Sequence, residues 1–147
     1  MTPPLPDGYT LLPTAPSVED YLHLRERAGL SPKTPEQARA AIPGSWAACH
    51  VHHQVSGQDG GRAVGMGRVL GDGGWYFHIV DIAVLPEHQR RGLGDAVLSA
   101  LVDEVHRRAP AGAYVNLLAD PPGRRLYARH GFQDTAPGSI GMALRLP

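Results

Sequence analysis

Two glycines spaced two apart, Gly92 and Gly94, follow an arginine pair, Arg90 and Arg91, and open a stretch of helical periodicity. At a helix start up to four backbone N–H groups lack an intrahelical acceptor, and the macrodipole is positive there. Glycines leave those donors uncovered and arginines add charge beside them, which points to a phosphate or pyrophosphate site. An ordinary strand-to-helix turn with solvated arginines is the plainer alternative. Two other side chains carry chemistry. Tyr127 is a phenol, a weak acid with a pKa of about 10. His78 lies on the strand leading to the glycines, and histidine is the side chain best suited to moving a proton at neutral pH.

The commoner nucleotide sites fit poorly. A P-loop requires GxxxxGK[ST], but no lysine follows these glycines, and Lys33 is the only lysine in the chain. A dinucleotide fingerprint, GxGxxG, finds Gly92 and Gly94 but Val97 in the third place. Asp120 ends the next strand, where a ribose-binding acid would sit. Yet seven residues separate Val84 from Gly92, too many for the tight turn of that fold, and the chain has one βαβ unit. A dinucleotide-dependent oxidoreductase is therefore the weak reading.

The elements that must position these groups are legible as pattern. Ser17 caps a helix over "VEDYLHLRERAG", and Thr34 with Pro35 opens a short one over "TPEQARAAI". Ahead of them "YTLLP" reads as a short strand. Three strands follow, "SWAACHVHHQV", "RAVGMGRVL" and "WYFHIVDIAVL", separated by glycine-rich turns at residues 57–61 and 71–74, an antiparallel meander. Leu93, Val97, Leu101 and Val105, widened by Leu98 and Val102, form the inner stripe of the next helix, with Asp95, Ser99, Asp103 and Arg107 outside. "AYVNLLA" is then a strand parallel to its predecessor, Asp120 caps a helix over "PPGRRLYARH", and "FQDTA" and "SIGMALRL" close the sheet. The expected fold is α+β: a mixed, mainly antiparallel sheet flanked by helices, in one domain over residues 1–147.

Composition narrows the function classes. With 147 residues, 42% hydrophobic and 19% charged, the chain suits one soluble globular domain. A formal net charge of zero argues against bulk attraction to nucleic acid or membrane. The N-terminus has no signal-peptide pattern, and no run approaches the roughly 18 apolar residues of a membrane span. Cys49 is the single cysteine, which predicts a reducing, cytoplasmic setting and plain core packing for that thiol. His50 and His52 share a strand face, but no acid or thiol completes a metal set, and no metal is expected.

"DIAVLPEHQRRGLGDAVLSAL" resembles the acyl-CoA-binding motif of the GNAT N-acetyltransferase superfamily, Q/R-x-x-G-x-G/A, with Gln89, Gly92 and Gly94 in the fixed places. "LYARHGF", from Leu126 to Phe132, resembles that family's tyrosine-plus-GF ending. The similarity spans roughly residues 62–142, with the CoA-binding core at about residues 75–134. It implies that the backbone of Arg90, Arg91, Gly92, Leu93, Gly94 and Asp95 cradles the pyrophosphate of acetyl-CoA. It implies that Ile82, Ala83 and Val84 pair with the pantetheine arm, in a gap between the fourth and fifth strands with Asn116 on the facing strand. Asp120 stands where many relatives carry an asparagine touching the pantetheine, and Gly123 where they often carry alanine, so that Asp120 is a cofactor contact or only a cap.

The implied reaction is direct transfer of the acetyl group to a primary amine of a small molecule or peptide in a ternary complex. Such a transfer needs an amine without its proton, a donor for the developing oxyanion and an acid for the thiolate. The Val84 amide matches the donor and Tyr127 the acid. His78 is the first candidate for the base, expected to share a face with Val80, Ile82 and Val84; Asp81, expected on the opposite face, is the second, and water the third. Arg68 and Asp72 could line the acceptor pocket. A non-catalytic acyl-CoA-binding sensor is the competing reading. Acceptor identity and acyl chain length stay open, as does the oligomeric state, a homodimer among the options.

Overall fold

The computed structural model describes residues 2–57 and 60–147. The turn expected at residues 57–61 is therefore described only at its ends, since residues 58 and 59 lie outside that range. In chain order the elements are β1 (Tyr9–Leu12), α1 (Val18–Arg27), α2 (Pro35–Ala41), β2 (Ala47–His53), β3 (Arg62–Gly71), β4 (Tyr76–Val84), α3 (Leu93–Arg108), β5 (Tyr114–Leu117) and α4 (Arg124–Arg129). The sheet order is β1-β2-β3-β4-β5, antiparallel except for the parallel β4–β5 pair.

Local chemistry explains the helix starts. The Ser17 hydroxyl accepts from the Asp20 amide, and Thr34 and Gln37 form a reciprocal capping box. On α3 the residues Leu93, Ala96, Val97, Leu98, Leu101 and Val105 are buried against the sheet. Ser99, expected on the outer face, is buried too. The helix lies across β2, β3 and β4 rather than along one strand, so its covered arc is wider than the stripe of apolar residues. The core joins these side chains to Leu24, Val51, Val64, Met66, Val69 and Phe77. Cys49 is part of it: the thiol reaches the Val97 carbonyl, and burial pushes its pKa up to about 12.

Three expectations need correction. The C-terminal residues 133–147 form no strand, and β5 ends the sheet. Ile140, Met142, Leu144 and Leu146 are 70–89% exposed, so this apolar segment is not buried against its own domain. Asp120 gives no side-chain cap; a single 3-10 turn over Pro121–Gly123 precedes α4 instead. Third, β4 does not alternate without interruption. Val80 faces Arg68 and Ala83 faces Met66, so β4 has one residue more than β3 between these pairs. The extra residue is a bulge at Asp81, whose φ is +60°.

The bulge reverses the face of everything after it. Gly67 lies beside Ile82, Val97 and Leu101, which puts Ile82, and with it Val84, on the α3 side. His78 lies opposite Leu70, two residues along β3 from Arg68, and Arg68 holds Asp81 on the α1 side. His78 therefore shares its face with Asp81 and not with Ile82 and Val84, the reverse of the expected alternation.

Candidate active site

The pairing of β4 with β5 stops at Ile79–Leu117, and β4 continues for five residues, Val80 to Val84, with no β5 partner. A cavity of about 600 Å3 opens beside this unpaired stretch. Its wall includes Ile82, Ala83 and Val84 from β4, Gln89, Arg90 and residues Gly92 to Asp95 from the turn, and Asp120, Leu126 and Tyr127 from the far side. Ala28 to Leu30, after α1, close one end. Among the expected site residues, Arg91, Asn116 and His78 do not line this cavity.

The turn into α3 has the geometry its composition predicts. Arg90 (φ +61°) and Gly92 (φ +80°) are left-handed, and the first intrahelical bond runs from Ala96 N–H to the Gly92 carbonyl, 3.0 Å. The amides of Leu93, Gly94 and Asp95 thus have no intrahelical acceptor, and no side chain caps Gly92 among the described residues. A Cβ on Gly94 would come into van der Waals contact with Leu126, 3.4 Å away across the mouth between α3 and α4. Exposed Arg90 and Arg91 flank these donors. Uncovered amides, a helix dipole and two guanidinium groups suit a diphosphate. Gln89 acts inward instead, its amide donating to the Val84 carbonyl at 3.1 Å.

Tyr127 crosses the cavity from α4. Its ring lies over Gly123, where an added Cβ would meet it at 2.7 Å; glycine at that position is what lets the phenol lie flat. Gly123 and Tyr127 are spaced i, i+4, a sequence feature that could have pointed to this contact. Burial, then the Asp120 carboxylate, hold the phenol above its ordinary pKa, so it stays protonated and able to donate.

Behind the last β4–β5 rungs, His78 and Asn116 face each other in register, with His78 Nδ1 2.6 Å from Asn116 Oδ1. The Asn116 amide nitrogen donates to the Tyr76 hydroxyl at 2.7 Å. An oxygen facing Nδ1 accepts the proton there, so in the neutral ring the lone pair is on Nε2. The Asn116 side chain is thus spent on His78 and Tyr76.

Asp81 is tied down. Arg68 Nε donates to it at 2.8 Å, and Arg25 and the Tyr21 hydroxyl donate to it as well. The Arg25, Arg68 and Asp81 side chains are 7–9% exposed. Arg68 also reaches the Ala41 carbonyl and the Ser45 hydroxyl, so it is a brace rather than part of an open acceptor pocket. This network escaped the sequence reading because its members lie far apart in the chain and share no periodicity. Asp72, the other suggested pocket residue, accepts from the amides of Gly74, Trp75 and Tyr76, bonds that hold its carboxyl below its usual range. Among the described residues there is no cluster able to hold a metal ion, and no helix is long and apolar enough to cross a membrane.

The chain is similar to known proteins in both sequence and fold. A family model described as an acetyltransferase (GNAT) domain matches residues 49–134. A protein of unknown function from meticillin-resistant Staphylococcus aureus has a similar structure at 37% identity and a TM-score of 0.84, over 94% of this chain and 99% of that one. A GNAT family acetyltransferase from Streptococcus pneumoniae TIGR4 shares the fold at 22% identity and a TM-score of 0.70, over 95% and 98%. A histone acetyltransferase from Glycine max is 27% identical over 130 residues, 85% of this chain; the chain spans about half of that relative, 55%. The family match covers more than half of the chain and includes β4, the glycine turn, α3, β5 and α4. The protein therefore belongs to the GNAT acetyltransferase family, which implies acyl transfer from acetyl-CoA.

Proposed function

We infer that the protein transfers an acetyl group from acetyl-CoA to a primary amine of a small molecule or peptide, by direct attack with both substrates bound. The observation that carries this reading is the parting of β4 from β5 directly ahead of the glycine turn, with Tyr127 across the gap. Acetyl-CoA supplies an activated thioester. The free amides of Leu93 to Asp95, with Arg90 and Arg91, bind its diphosphate. The unpaired backbone of Ile82 to Val84 offers strand-like partners to its amide-bearing arm, and the Val84 N–H is the donor for the oxyanion. Tyr127, protonated at neutral pH, returns a proton to the departing thiolate. A base takes the proton of the amine, and His78, one residue before the cavity wall begins at Ile79, is the candidate, reaching that proton directly or through water. A peptide acceptor is in keeping with the soybean relative's name, a small amine with the modest cavity. A buried lone thiol fits a reducing cytoplasm.

The test is CoA thiol release on presenting polyamines, amino acids, aminoglycosides and peptides. Acceptor-dependent release is expected from at least one class, and Tyr127→Phe should lower kcat roughly tenfold or more with acetyl-CoA affinity nearly unchanged. Acetyl-CoA binding with no release on any amine would favour a sensor module over an enzyme. An unchanged kcat in Tyr127→Phe would remove the acid role.

A further inference from the structure

Between the end of β4 and the glycine turn the chain passes a cluster of titratable rings. Buried Leu85 donates its N–H to the Val64 carbonyl, and a 3-10 turn over Pro86–His88 then carries the chain across the end of the sheet. There His88 meets two residues of the far strands. The Tyr9 hydroxyl lies 2.7 Å from His88 Nδ1. Tyr9 of β1 and His53 of β2 are partners in register, with ring centroids 4.4 Å apart. The His53 and His88 ring centroids are 4.8 Å apart, and all three side chains are half-buried. Acyl transfer at the gap leaves this cluster unused.

Its charge balance depends on what the neighbouring turn holds. Protonation of His88 sets an imidazolium beside the His53 ring and near the Arg91 guanidinium. The one carboxylate that favours it, Glu87, is exposed and shared with Arg27 at 3.6 Å. Burial, then His53, hold His88 below its ordinary range; Arg91 adds to this, and Glu87 works against it. The ligand-free protein therefore carries a neutral His88 at pH 7. A diphosphate on the amides of Leu93 to Asp95 reverses the balance, because it brings negative charge to the same turn and neutralises Arg91. Tyr9 suits either state: its hydroxyl donates to a bare Nδ1 and accepts from a protonated one.

We propose that His88, with His53 packed against it, is a proton site coupled to the diphosphate site, so that acetyl-CoA binding draws a proton onto His88 and tightens as pH falls. The inference rests on the diphosphate reading of the α3 turn. Its sign follows from reciprocity: a ligand that favours the protonated ring is itself favoured by the proton. At high pH the ring is neutral with or without ligand, and affinity is flat. As pH falls through the histidine range, from about 8 to 5, the bound form protonates first and affinity rises. It is flat again once the free form is protonated too. An opposite charge nearby moves a titration by about one unit or more, so Kd should tighten roughly tenfold across the window.

Calorimetric titration of the full chain with acetyl-CoA at about pH 6.5, in two buffers of different ionisation enthalpy, counts the protons exchanged on binding. Net uptake is expected. His88→Gln keeps a partner for Tyr9 but takes no charge. It should lose the uptake, match the parent Kd at about pH 8 and bind roughly tenfold more weakly at about pH 5.5. The phosphate monoester of acetyl-CoA, titrating near about pH 6, acts in the opposite sense and is common to parent and variant. In the parent itself, the His88 imidazole resonances should titrate at higher pH with acetyl-CoA than without. The coupling acts on binding, so kcat at saturating acetyl-CoA should not follow it, which separates it from titration of His78. Acetyl-CoA binding with the same proton count and pH dependence in parent and variant would overturn the inference and leave the diphosphate reading standing. A His88 titration unmoved by the ligand would do the same. Failure to bind acetyl-CoA at any pH would overturn both.

Discussion

His78 and Asn116 illustrate how one side chain sets the chemistry of another. The Asn116 oxygen holds the imidazole proton on Nδ1, and the base capacity is thereby assigned to Nε2. If His78 accepts the proton of the amine, His78→Ala should lower kcat roughly a hundredfold. Steady-state rates between about pH 6 and 9 that match the parent would end that assignment. Asn116→Asp keeps the acceptor but places a carboxylate beside the ring, which favours the imidazolium. The base must be neutral to work, so the acidic limb of the pH–rate profile should move to higher pH. A change in kcat without movement of that limb would mean that Asn116 serves packing alone. The histidine and its location were readable from the chain. Its partner role was not, because a cross-strand contact depends on the register of a parallel pair.

The bulge in β4 is the corresponding event at the level of the element. A non-glycine residue at φ +60° is held in a sparsely populated conformation, and Asp81 is held there by two arginines and a tyrosine. Asp81→Ala would leave Arg25 and Arg68 buried without their shared counter-ion. Losing one member of such a group costs about 3–5 kcal/mol. Urea denaturation should register a loss of this size, and a loss under about 1 kcal/mol would mean that the arginines relax into water. Sequence patterning located β4, the glycine turn and α3, since each has its own period. It missed the inserted residue, because alternation carries no mark of where a strand gains one. The C-terminal segment differs in another way: its alternation is that of a strand, but residues 140–146 lie exposed and leave the free edge of β5 unpaired.

Across the whole molecule, alkaline stability should report on the core. The Cys49 thiol rises from an ordinary 9.0 to about 12 on burial, so the fold favours the neutral form. That contribution is complete below about pH 9 and is lost as pH rises from there toward 12. Tyr21 and Tyr127, also raised, join only above about pH 10. Between about pH 9 and 10 the unfolding free energy should fall by about 1 kcal/mol, and Cys49→Ala should flatten that interval. A slope identical in the variant would assign it to other groups. The same architecture gives the bulge a further meaning. Before Asp81, alternate side chains of β4 meet the layer of α1 and α2; after it, they meet α3. One inserted residue shifts the strand by half a period, so two side-chain rows that a regular strand would confine to a single layer are dealt to both. Each stretch of β4 still faces both layers, but the even-numbered row that would line one side of a regular strand passes from the α1 side, at His78 and Val80, to the α3 side, at Ile82 and Val84.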